Sequence, residues 1–272
     1  MKQVPRHVRS FEARYYELDN QGELIPTALI SLFEETAVSH LGITGWNVYR
    51  LLDAGFCWIL LQGSFSMIRY PRYGERFTIE TWVPAQRHFY GLRQFEIKDA
   101  QGLNIGSAQS IWLFYDIGRQ RPATPLTEIL EIWQPDPALV LHRETYSIDL
   151  PENVSELPDF ERFRIQPCEV RSFDIDTNNH VNHVRYIEWV LDSVPTEIRQ
   201  KYRLRSLKGQ YLHEIVLGQQ VLPYAKKQEQ NSLQIDEVTL LLAVYAGINS
   251  AHLAHQDSRL AASAISNWVL KA

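Results

Sequence analysis

The feature that most constrains the fold of this chain is an order of predicted elements that occurs twice. In the first copy, residues 8–16 predict a strand, and residues 25–41 place apolar side chains at helical spacing. A short helix is predicted at 46–54, followed by strand-like segments rich in β-branched and aromatic residues at 58–70, 76–84, 90–98 and 105–116. The second copy has a strand at 168–175, a helix at 181–193, and strand-like segments at 203–217, 220–228, 235–246, 248–255 and 260–270. One long helix and several antiparallel strands in each copy predict an α+β fold with a curved sheet around each helix.

Short sequence matches support an internal repeat. Residues 17–19 before the first helix are similar to residues 174–176 before the second, and residues 73–77 are similar to residues 217–221. Between the copies, residues 134–165 are rich in proline and acidic residues and show little periodicity, which predicts a linker along the surface. We therefore predict an N-terminal repeat at 1–139, a linker at 140–165 and a C-terminal repeat at 166–272.

Bulk properties exclude several classes of protein. The chain has 272 residues and a formal net charge of −5, which argues against nucleic acid as a partner because nucleic-acid-binding proteins carry a basic surface. No apolar run reaches the ~18 residues of a membrane span, and the first residues lack the apolar core of a signal peptide. The two cysteines, Cys57 and Cys168, are too few for a secreted disulfide scaffold. We therefore expect a cytoplasmic globular protein.

A dense polar cluster lies at the start of the second long helix, at residues 174–183. Asp and Asn cap helix N-termini, and capping explains one or two of these residues. It does not explain the alternation of Asp176, Asn178 and His180, which would share one face of an extended chain. Such a face, just ahead of a helix N-terminus, is a place to stabilise an oxyanion. The first repeat has Asp-Asn-Gln-Gly-Glu at residues 19–23 instead, which predicts one active repeat and one degenerate repeat that shapes a pocket.

This cluster carries a family resemblance. Residues 173–186 resemble the Asp-x-Asn-x-His-Val-Asn-Asn signature of the acyl-ACP thioesterases, the plant FatA/FatB type and their bacterial relatives. Residues 69–75 and 110–112 are similar to that family's first repeat. The resemblance covers nearly the whole chain and implies a double (tandem) hotdog fold, in which each repeat is a long helix wrapped by an antiparallel sheet. It also implies hydrolysis of the thioester between a fatty acyl chain and acyl carrier protein (ACP), in fatty acid biosynthesis.

The resemblance further implies the residues of the site. Asp176, Asn178 and His180 fall on the signature, and Glu214 matches a family glutamate that lies in a later strand in a Tyr-x-x-Glu context. The plant enzymes have a cysteine directly after that glutamate, once proposed as a nucleophile, whereas this chain has Ile215. Either the reaction requires no cysteine nucleophile or the protein is inactive. We favour the first, because both carboxylates, the asparagine and the histidine are present.

These residues suit hydrolysis of an activated ester. Glu214 or Asp176 would act as general base on water, or one of them would attack the carbonyl directly. His180 would orient or relay the proton, while Asn178 and the backbone N–H groups near residues 180–182 would hold the thioester oxygen. We expect no metal and no cofactor, because the substrate itself carries phosphopantetheine. The plainer explanation of Glu214 is a buried carboxylate paired with a histidine in the core.

Other functions fit the same residues. An acyl-CoA thioesterase acts on the same phosphopantetheine thioester, and a non-catalytic acyl-binding or dehydratase-like hotdog protein would share the fold. The Asp-x-Asn-x-His spacing and the downstream glutamate favour hydrolysis. Neither acyl chain length nor oligomeric state follows from the sequence, and further pairing into a homodimer is left open.

The expected partner, ACP, is acidic, so a chain of net negative charge needs a local positive face to bind it. Two clusters of basic residues are candidates for this face: Arg199, Lys201, Arg203, Arg205 and Lys208, or Arg69, Arg72 and Arg76.

Overall fold

The computed structural model describes residues 6–140, 146–157, 167–177, 179–228, 236–248 and 258–271. The chain divides into two compact units, Met1–Thr145 and Tyr146–Ala272, which we call unit 1 and unit 2. Each unit contains a principal helix and an antiparallel sheet, in agreement with the predicted α+β class. No helix in these ranges is long and apolar enough to cross a membrane.

Unit 1 begins with a strand, β1 (His7–Glu12), and a long helix, α1 (Pro26–Gly42). Proline suits the first position of α1 because its missing N–H would have no partner there. The buried residues of α1 recur every three or four positions, as one helix face requires: Leu29, Phe33, Thr36, Ala37, His40 and Leu41. The remaining elements are α2 (Val48–Asp53), β2 (Phe56–Met67), β3 (Arg76–Arg87), β4 (Tyr90–Asp99), β5 (Asn104–Asp116), β6 (Arg121–Pro122) and α3 (Thr127–Trp133).

The strands of unit 1 form an antiparallel sheet in the order β1-β3-β4-β5-β2, and β6 pairs with the end of β5. Helix α1 packs against β1 and β3. An apolar core joins all three helices to the sheet through Leu41, Leu51, Val83, Phe114, Ile129 and Trp133. Burial of these large side chains supplies most of the driving force for folding of the unit.

Unit 2 repeats this plan with a shorter principal helix. Its elements are β7 (Cys168–Glu169), α4 (His183–Asp192), α5 (Thr196–Lys201), β8 (Tyr202–Tyr211), β9 (Gln219–Lys227), β10 (Glu237–Ile248) and β11 (Arg259–Leu270). The sheet order is β7-β9-β10-β11-β8, which is the order of unit 1 with each strand replaced by its counterpart. Helix α4 packs against β9 and β10, as α1 packs on its own sheet. The internal repeat predicted from the sequence is therefore confirmed.

Several boundaries differ from the predictions. The strand predicted at 168–175 ends at Glu169, because the Asp174 carboxylate accepts a hydrogen bond from the Arg171 N–H and helps fold the chain into a 3₁₀ turn. The strand predicted at 203–217 ends at Tyr211. Strand β10 continues to Ile248, and the rest of the strand predicted at 248–255 lies outside the described residues. Helices α3 and α5 were not predicted, since seven and six residues are too few to show a helical period.

The segment between the repeats does more than follow the surface. Val154 and Leu157 are buried in a core cluster of unit 2 with Tyr245 and Leu260. The Val154 N–H donates to the carbonyl of Ser258, and the Tyr245 hydroxyl donates to the carbonyl of Pro151. The prediction of a surface linker over 134–165 is therefore wrong for these residues, because their apolar side chains cover the sheet of unit 2. Residues 141–145 and 158–166 lie outside the described residues.

Candidate active site

The described residues of the signature form a tight turn, which we call the His180 turn (residues 174–177 and 179–182). The N–H of Asp176 donates to the carbonyl of His180 at 2.8 Å, and the N–H of Asn179 donates back to the carbonyl of Asp176 at 3.2 Å. Asn179 has a φ of 63°, a left-handed conformation that asparagine adopts more readily than most residues. The predicted extended chain, with alternate residues on one face, is therefore wrong. The segment folds back on itself directly before α4.

Helix α4 begins immediately after the turn. The Asn182 side chain caps it by accepting from the Val184 N–H at 2.8 Å. The predicted capping function of this polar cluster is thus confirmed for Asn182. Helix α4 starts three residues after His180, so the position of the turn depends on how α4 packs.

The backbone N–H groups of residues 180–182 are already occupied. They donate within unit 2, from His180 to Oδ1 of Asp176, from Val181 to the carbonyl of Ile215, and from Asn182 to the carbonyl of Asp174. The expectation that these N–H groups hold the thioester oxygen is therefore wrong, because tertiary contacts of the turn use them. Asn178, the other residue expected to hold that oxygen, lies outside the described residues.

Glu214 lies on a loop and not on the strand that was predicted. We call residues 212–218 the Glu214 loop. The chain leaves the ladder after Tyr211, where the N–H groups of Leu212 and His213 both donate to the carbonyl of Ala261. The loop then meets the His180 turn, since the Val181 N–H donates to the carbonyl of Ile215 at 2.8 Å.

This arrangement brings His180 and Glu214 together. Nε2 of His180 lies 3.2 Å from Oε2 of Glu214. The Glu214 side chain is 60% exposed and that of His180 is 38% exposed, so the pair is accessible to water and to a substrate. The plainer explanation, a paired charge buried in the core, is excluded by this exposure. Asp176 contacts the backbone of His180, with Oδ1 3.4 Å from the His180 nitrogen. Thus Glu214 is the carboxylate beside the imidazole, and Asp176 helps shape the turn.

The residue after Glu214 points away from the pair. The Ile215 side chain is 0% exposed and lies in the core. A side chain at this position is therefore placed for packing, which supports the hypothesis that no nucleophile is needed there.

Two buried residues next to the site, Asp174 and Tyr186, were not predicted to contribute to it. The Asp174 carboxylate lies at the base of the turn, with Oδ1 3.5 Å from Nε of Arg185, and its backbone carbonyl accepts from the Asn182 N–H. Tyr186, on the buried face of α4, reaches the Glu214 loop with its hydroxyl. The sequence did show Asp174 in the repeat match and Tyr186 beside the apolar stripe of the helix. Neither signal distinguished these residues from core positions.

The basic clusters expected to bind ACP are largely ion-paired. Arg69 contacts Glu75 at 2.7 Å and Asp99 at 2.9 Å, while Arg72 and Arg76 pair with Glu23 and Glu12 at 3.2 and 3.4 Å. Each of these three arginines is therefore paired with at least one carboxylate of unit 1. In the other cluster, Arg199 and Arg205 pair with Asp192 and Glu237 at 3.6 and 3.5 Å.

The architecture defines a class of protein with two hotdog units in one chain, and comparisons with known proteins place it in a family. Residues 5–133 match the acyl-ACP thioesterase N-terminal domain, and residues 158–254 match the acyl-ACP thioesterase C-terminal domain. The chain belongs to the acyl-ACP thioesterase family. The C-terminal match includes the His180 turn and the Glu214 loop.

Named relatives agree with this assignment. The chain is 26% identical over 75% of its length to oleoyl-acyl carrier protein thioesterase 2, chloroplastic, of Arabidopsis thaliana. It is 28% identical over 76% of its length to the acyl-[acyl-carrier-protein] hydrolase FATB3, chloroplastic, of Cuphea viscosissima. These alignments span 58% and 51% of the two relatives, so the chain spans about half the length of the curated proteins it matches.

Solved structures show the same fold. A putative oleoyl thioesterase from Lactobacillus plantarum superposes with a TM-score of 0.78 at 22% identity, over 99% of this chain and 98% of the other. The 12:0-ACP thioesterase from Umbellularia californica gives 0.77 at 18% identity, over 98% of this chain and 94% of the other. The predicted tandem hotdog fold is confirmed.

Proposed function

We propose that this protein hydrolyses the thioester of acyl-ACP, releasing a free fatty acid and the carrier protein. The observation that carries the proposal is the contact between His180 and Glu214 at 3.2 Å. It lies in the part of the chain that matches the acyl-ACP thioesterase C-terminal domain. The relatives described above, an oleoyl-acyl carrier protein thioesterase and an acyl-[acyl-carrier-protein] hydrolase, support the same substrate.

The pair supplies a base and a proton relay. Glu214 accepts a proton from a water molecule whose oxygen attacks the thioester carbonyl carbon. When the C–S bond breaks, the sulfur of the phosphopantetheine arm leaves as a thiolate and takes up that proton, which His180 relays from Glu214. The products are a fatty acid and a thiol, and no atom changes its oxidation state. We further propose that the Asn178 side chain donates to the carbonyl oxygen while negative charge develops on it.

Accessibility supports water as the nucleophile. Glu214 is more than half exposed, so water reaches its carboxylate without a conformational change. Asp176 is assigned to positioning, because its carboxylate accepts from the His180 backbone and holds the turn that presents the imidazole. A general base of this kind typically contributes ~10²–10⁴-fold to the rate.

The test is thiol release from a panel of acyl-ACPs and the matching acyl-CoAs, with Glu214→Gln as control. We expect release from acyl-ACP that is lost in Glu214→Gln, with the panel also giving the acyl chain length. Faster release from acyl-CoA would reassign the carrier while keeping the chemistry. Binding of acyl-ACP without release would refute the proposal in favour of an acyl-binding protein. Cytoplasmic location, a role in fatty acid biosynthesis and a further homodimer stay predictions.

A further inference from the structure

The Tyr186 hydroxyl makes two hydrogen bonds, and they lie on either side of Glu214. It donates to the carbonyl of His213 at 3.2 Å, and it accepts from the N–H of Ile215 at 2.9 Å. One side chain therefore holds the backbone groups of both neighbours of Glu214. Because a single hydroxyl bridges the two, any shift of the loop relative to α4 strains or breaks at least one bond.

Other contacts hold the same two residues. The N–H of His213 donates to the carbonyl of Ala261 on β11, and the carbonyl of Ile215 accepts from the N–H of Val181 in the His180 turn. Ile215 is also anchored by its fully buried side chain. Glu214 itself projects into solvent, so its direction is set by its neighbours and not by packing of its own side chain.

Tyr186 also belongs to the element that positions His180. Helix α4 starts directly after the His180 turn, and Tyr186 lies one turn into it on the buried face. Its ring packs edge-on against Tyr211, with centroids 5.6 Å apart, and lies tilted against the Trp189 ring at 6.0 Å. The ring is fixed by this packing, so the hydroxyl is a rigid link between the helix that carries the turn and the loop that carries Glu214.

We propose that Tyr186 is a positioning residue, whose hydroxyl fixes the Glu214 loop against α4 so that the carboxylate stays within hydrogen-bond distance of Nε2 of His180. The inference rests on the proposed function for its kinetic consequence, but its structural content is independent of it. Misplacement of a reacting group by ~1 Å can cost ~10²-fold in rate. A residue that does not contact the substrate can therefore control the rate.

The hydroxyl stays protonated while it does this. Burial raises the pKa of Tyr186, and the negative charges of Glu214 and Asp176 raise it further. A hydroxyl that does not ionise under assay conditions donates to His213 throughout, so it supplies a fixed link and no titrating group.

The plainer explanation is that the hydroxyl only satisfies two buried peptide groups, which predicts a loss of stability and no specific loss of turnover. Tyr245 provides the matched control. It is buried in the same unit, and its hydroxyl donates to the carbonyl of Pro151 at 3.0 Å, away from both the His180 turn and the Glu214 loop. Tyr186→Phe and Tyr245→Phe each remove one oxygen and keep the ring packing.

The first experiment measures kcat and KM for acyl-ACP hydrolysis, together with thermal unfolding, in the full chain. For Tyr186→Phe we expect kcat to fall roughly 10- to 100-fold with little change in KM, as expected for a misplaced base. Tyr245→Phe should keep the kcat of the wild type while showing a similar shift in unfolding temperature. Equal kcat values for the two variants would overturn the proposal.

The second experiment combines Tyr186→Phe with Glu214→Gln. If Tyr186 acts through Glu214, the double variant should be no slower than Glu214→Gln alone, because the residue being positioned is already disabled. The same fold-loss in both backgrounds would show that Tyr186 acts elsewhere and would overturn the proposal.

Crystal structures of the wild type and of Tyr186→Phe separate the two hypotheses. We expect the Glu214 loop to move and the distance between His180 and Glu214 to exceed its wild-type value in the variant. An inactive wild-type protein would refute the proposed function, and this displacement would still decide the positioning hypothesis. An unchanged loop in Tyr186→Phe would overturn the inference whatever the activity.

Discussion

The turn before α1 and the turn before α4 have the same backbone and different side chains. In unit 1, residues 18 and 24 pair across the turn, and the Asp19 N–H donates to the carbonyl of Glu23 at 2.8 Å. In unit 2, residues 175 and 181 pair in the same way, and the equivalent bond from Asp176 to His180 is also 2.8 Å. The left-handed residue is Gly22 in one turn and Asn179 in the other. The shape of the turn is therefore a property of the repeat and not of the reaction.

The side chains differ where chemistry is expected. Where unit 2 has His180 beside Glu214, unit 1 has Glu23 beside Arg72, with 3.2 Å between the side-chain nitrogen and the carboxylate oxygen in both pairs. An arginine side chain does not give up its proton near neutral pH. A histidine beside a carboxylate can do so. The two partners come from different positions of the facing loop. The Leu24 N–H donates to the carbonyl of Pro71 as the Val181 N–H donates to that of Ile215, so Tyr70 takes the position of Glu214 in unit 1 and Arg72 corresponds to Val216.

The largest expected effect is on the histidine. His180→Gln removes the proton relay and should lower kcat by ~10²–10⁴-fold, whereas Glu23→Gln in the equivalent position of unit 1 should leave kcat unchanged. Steady-state hydrolysis of acyl-ACP by the two variants measures the difference. Loss of turnover in Glu23→Gln with the fold intact would show that the turn of unit 1 also takes part in the reaction.

A smaller effect is expected from the aspartate that both turns share. Asp176→Ala and Asp19→Ala each remove a carboxylate that accepts from the backbone of its own turn, so each should lower stability by about 1 kcal/mol. Only Asp176→Ala should also lower kcat, by roughly 10²-fold, because it loosens the turn that presents His180. Thermal unfolding and kcat measured side by side test this. Asp176→Ala with normal kcat would remove Asp176 from the site.

The two units also contrast a buried histidine with an accessible one. In unit 1, His40 of α1 accepts at Nδ1 from Arg93 of β4 at 2.9 Å, stacks on His7 of β1, and packs against Trp133 of α3. Burial, followed by the positive charges of Arg93 and His7, lowers the pKa of His40 from 6.5 to about 2. His40 is therefore neutral in the folded protein at neutral pH.

The lowered pKa of His40 makes the stability of the protein depend on pH, because proton binding and folding are linked. The pKa of His40 is lower in the folded protein than its value of 6.5 in the unfolded chain. The folded protein therefore has its full stability above pH 6.5 and loses up to about 1.4 kcal/mol of unfolding free energy per pH unit as pH falls below it. His40→Gln, whose amide oxygen can accept from Arg93, should weaken this dependence. Urea unfolding between pH 7.5 and pH 5 measures it. An equal dependence in wild type and variant would assign the effect to other groups, with His7, whose pKa is also lowered, as the next candidate.

The smallest expected effect concerns the position after Glu214. Ile215→Val removes one buried methylene and should lower stability by about 1 kcal/mol, while kcat stays within roughly twofold of the wild type. This tests whether the position contributes packing alone. A large loss of kcat at unchanged stability would mean that Ile215 affects the reaction directly.

Much of the fold could be predicted because its signals are local. The periodicity of α1 and α4 and the β-branched strands gave most elements to within a few residues, and short matches gave the repeat. Helices α3 and α5 were missed because they are short. The shape of the His180 turn could not be predicted, since it depends on contacts such as that between Val181 and Ile215, which are 34 positions apart in sequence.

The candidate site was predicted in part. Resemblance to the family identified Asp176, Asn178, His180 and Glu214, and the structure brings Glu214 to His180. The catalytic roles of these residues stay predictions. The contribution of Tyr186 was not predictable, because in the sequence it is one more aromatic residue on the buried face of a helix. Its relation to Glu214 exists only after the loop has folded onto α4.

The central claim is that hydrolysis depends on the His180–Glu214 pair of unit 2 and not on the Glu23–Arg72 pair of unit 1. The most direct measurement is thiol release from one acyl-ACP by wild type, Glu214→Gln and Arg72→Gln, the last two being changes at the loop partner of each turn. We predict that Glu214→Gln loses at least ~10²-fold in kcat, as removal of a general base requires, while Arg72→Gln retains wild-type turnover. Near-normal release by Glu214→Gln, in a protein that unfolds like the wild type, would contradict the account.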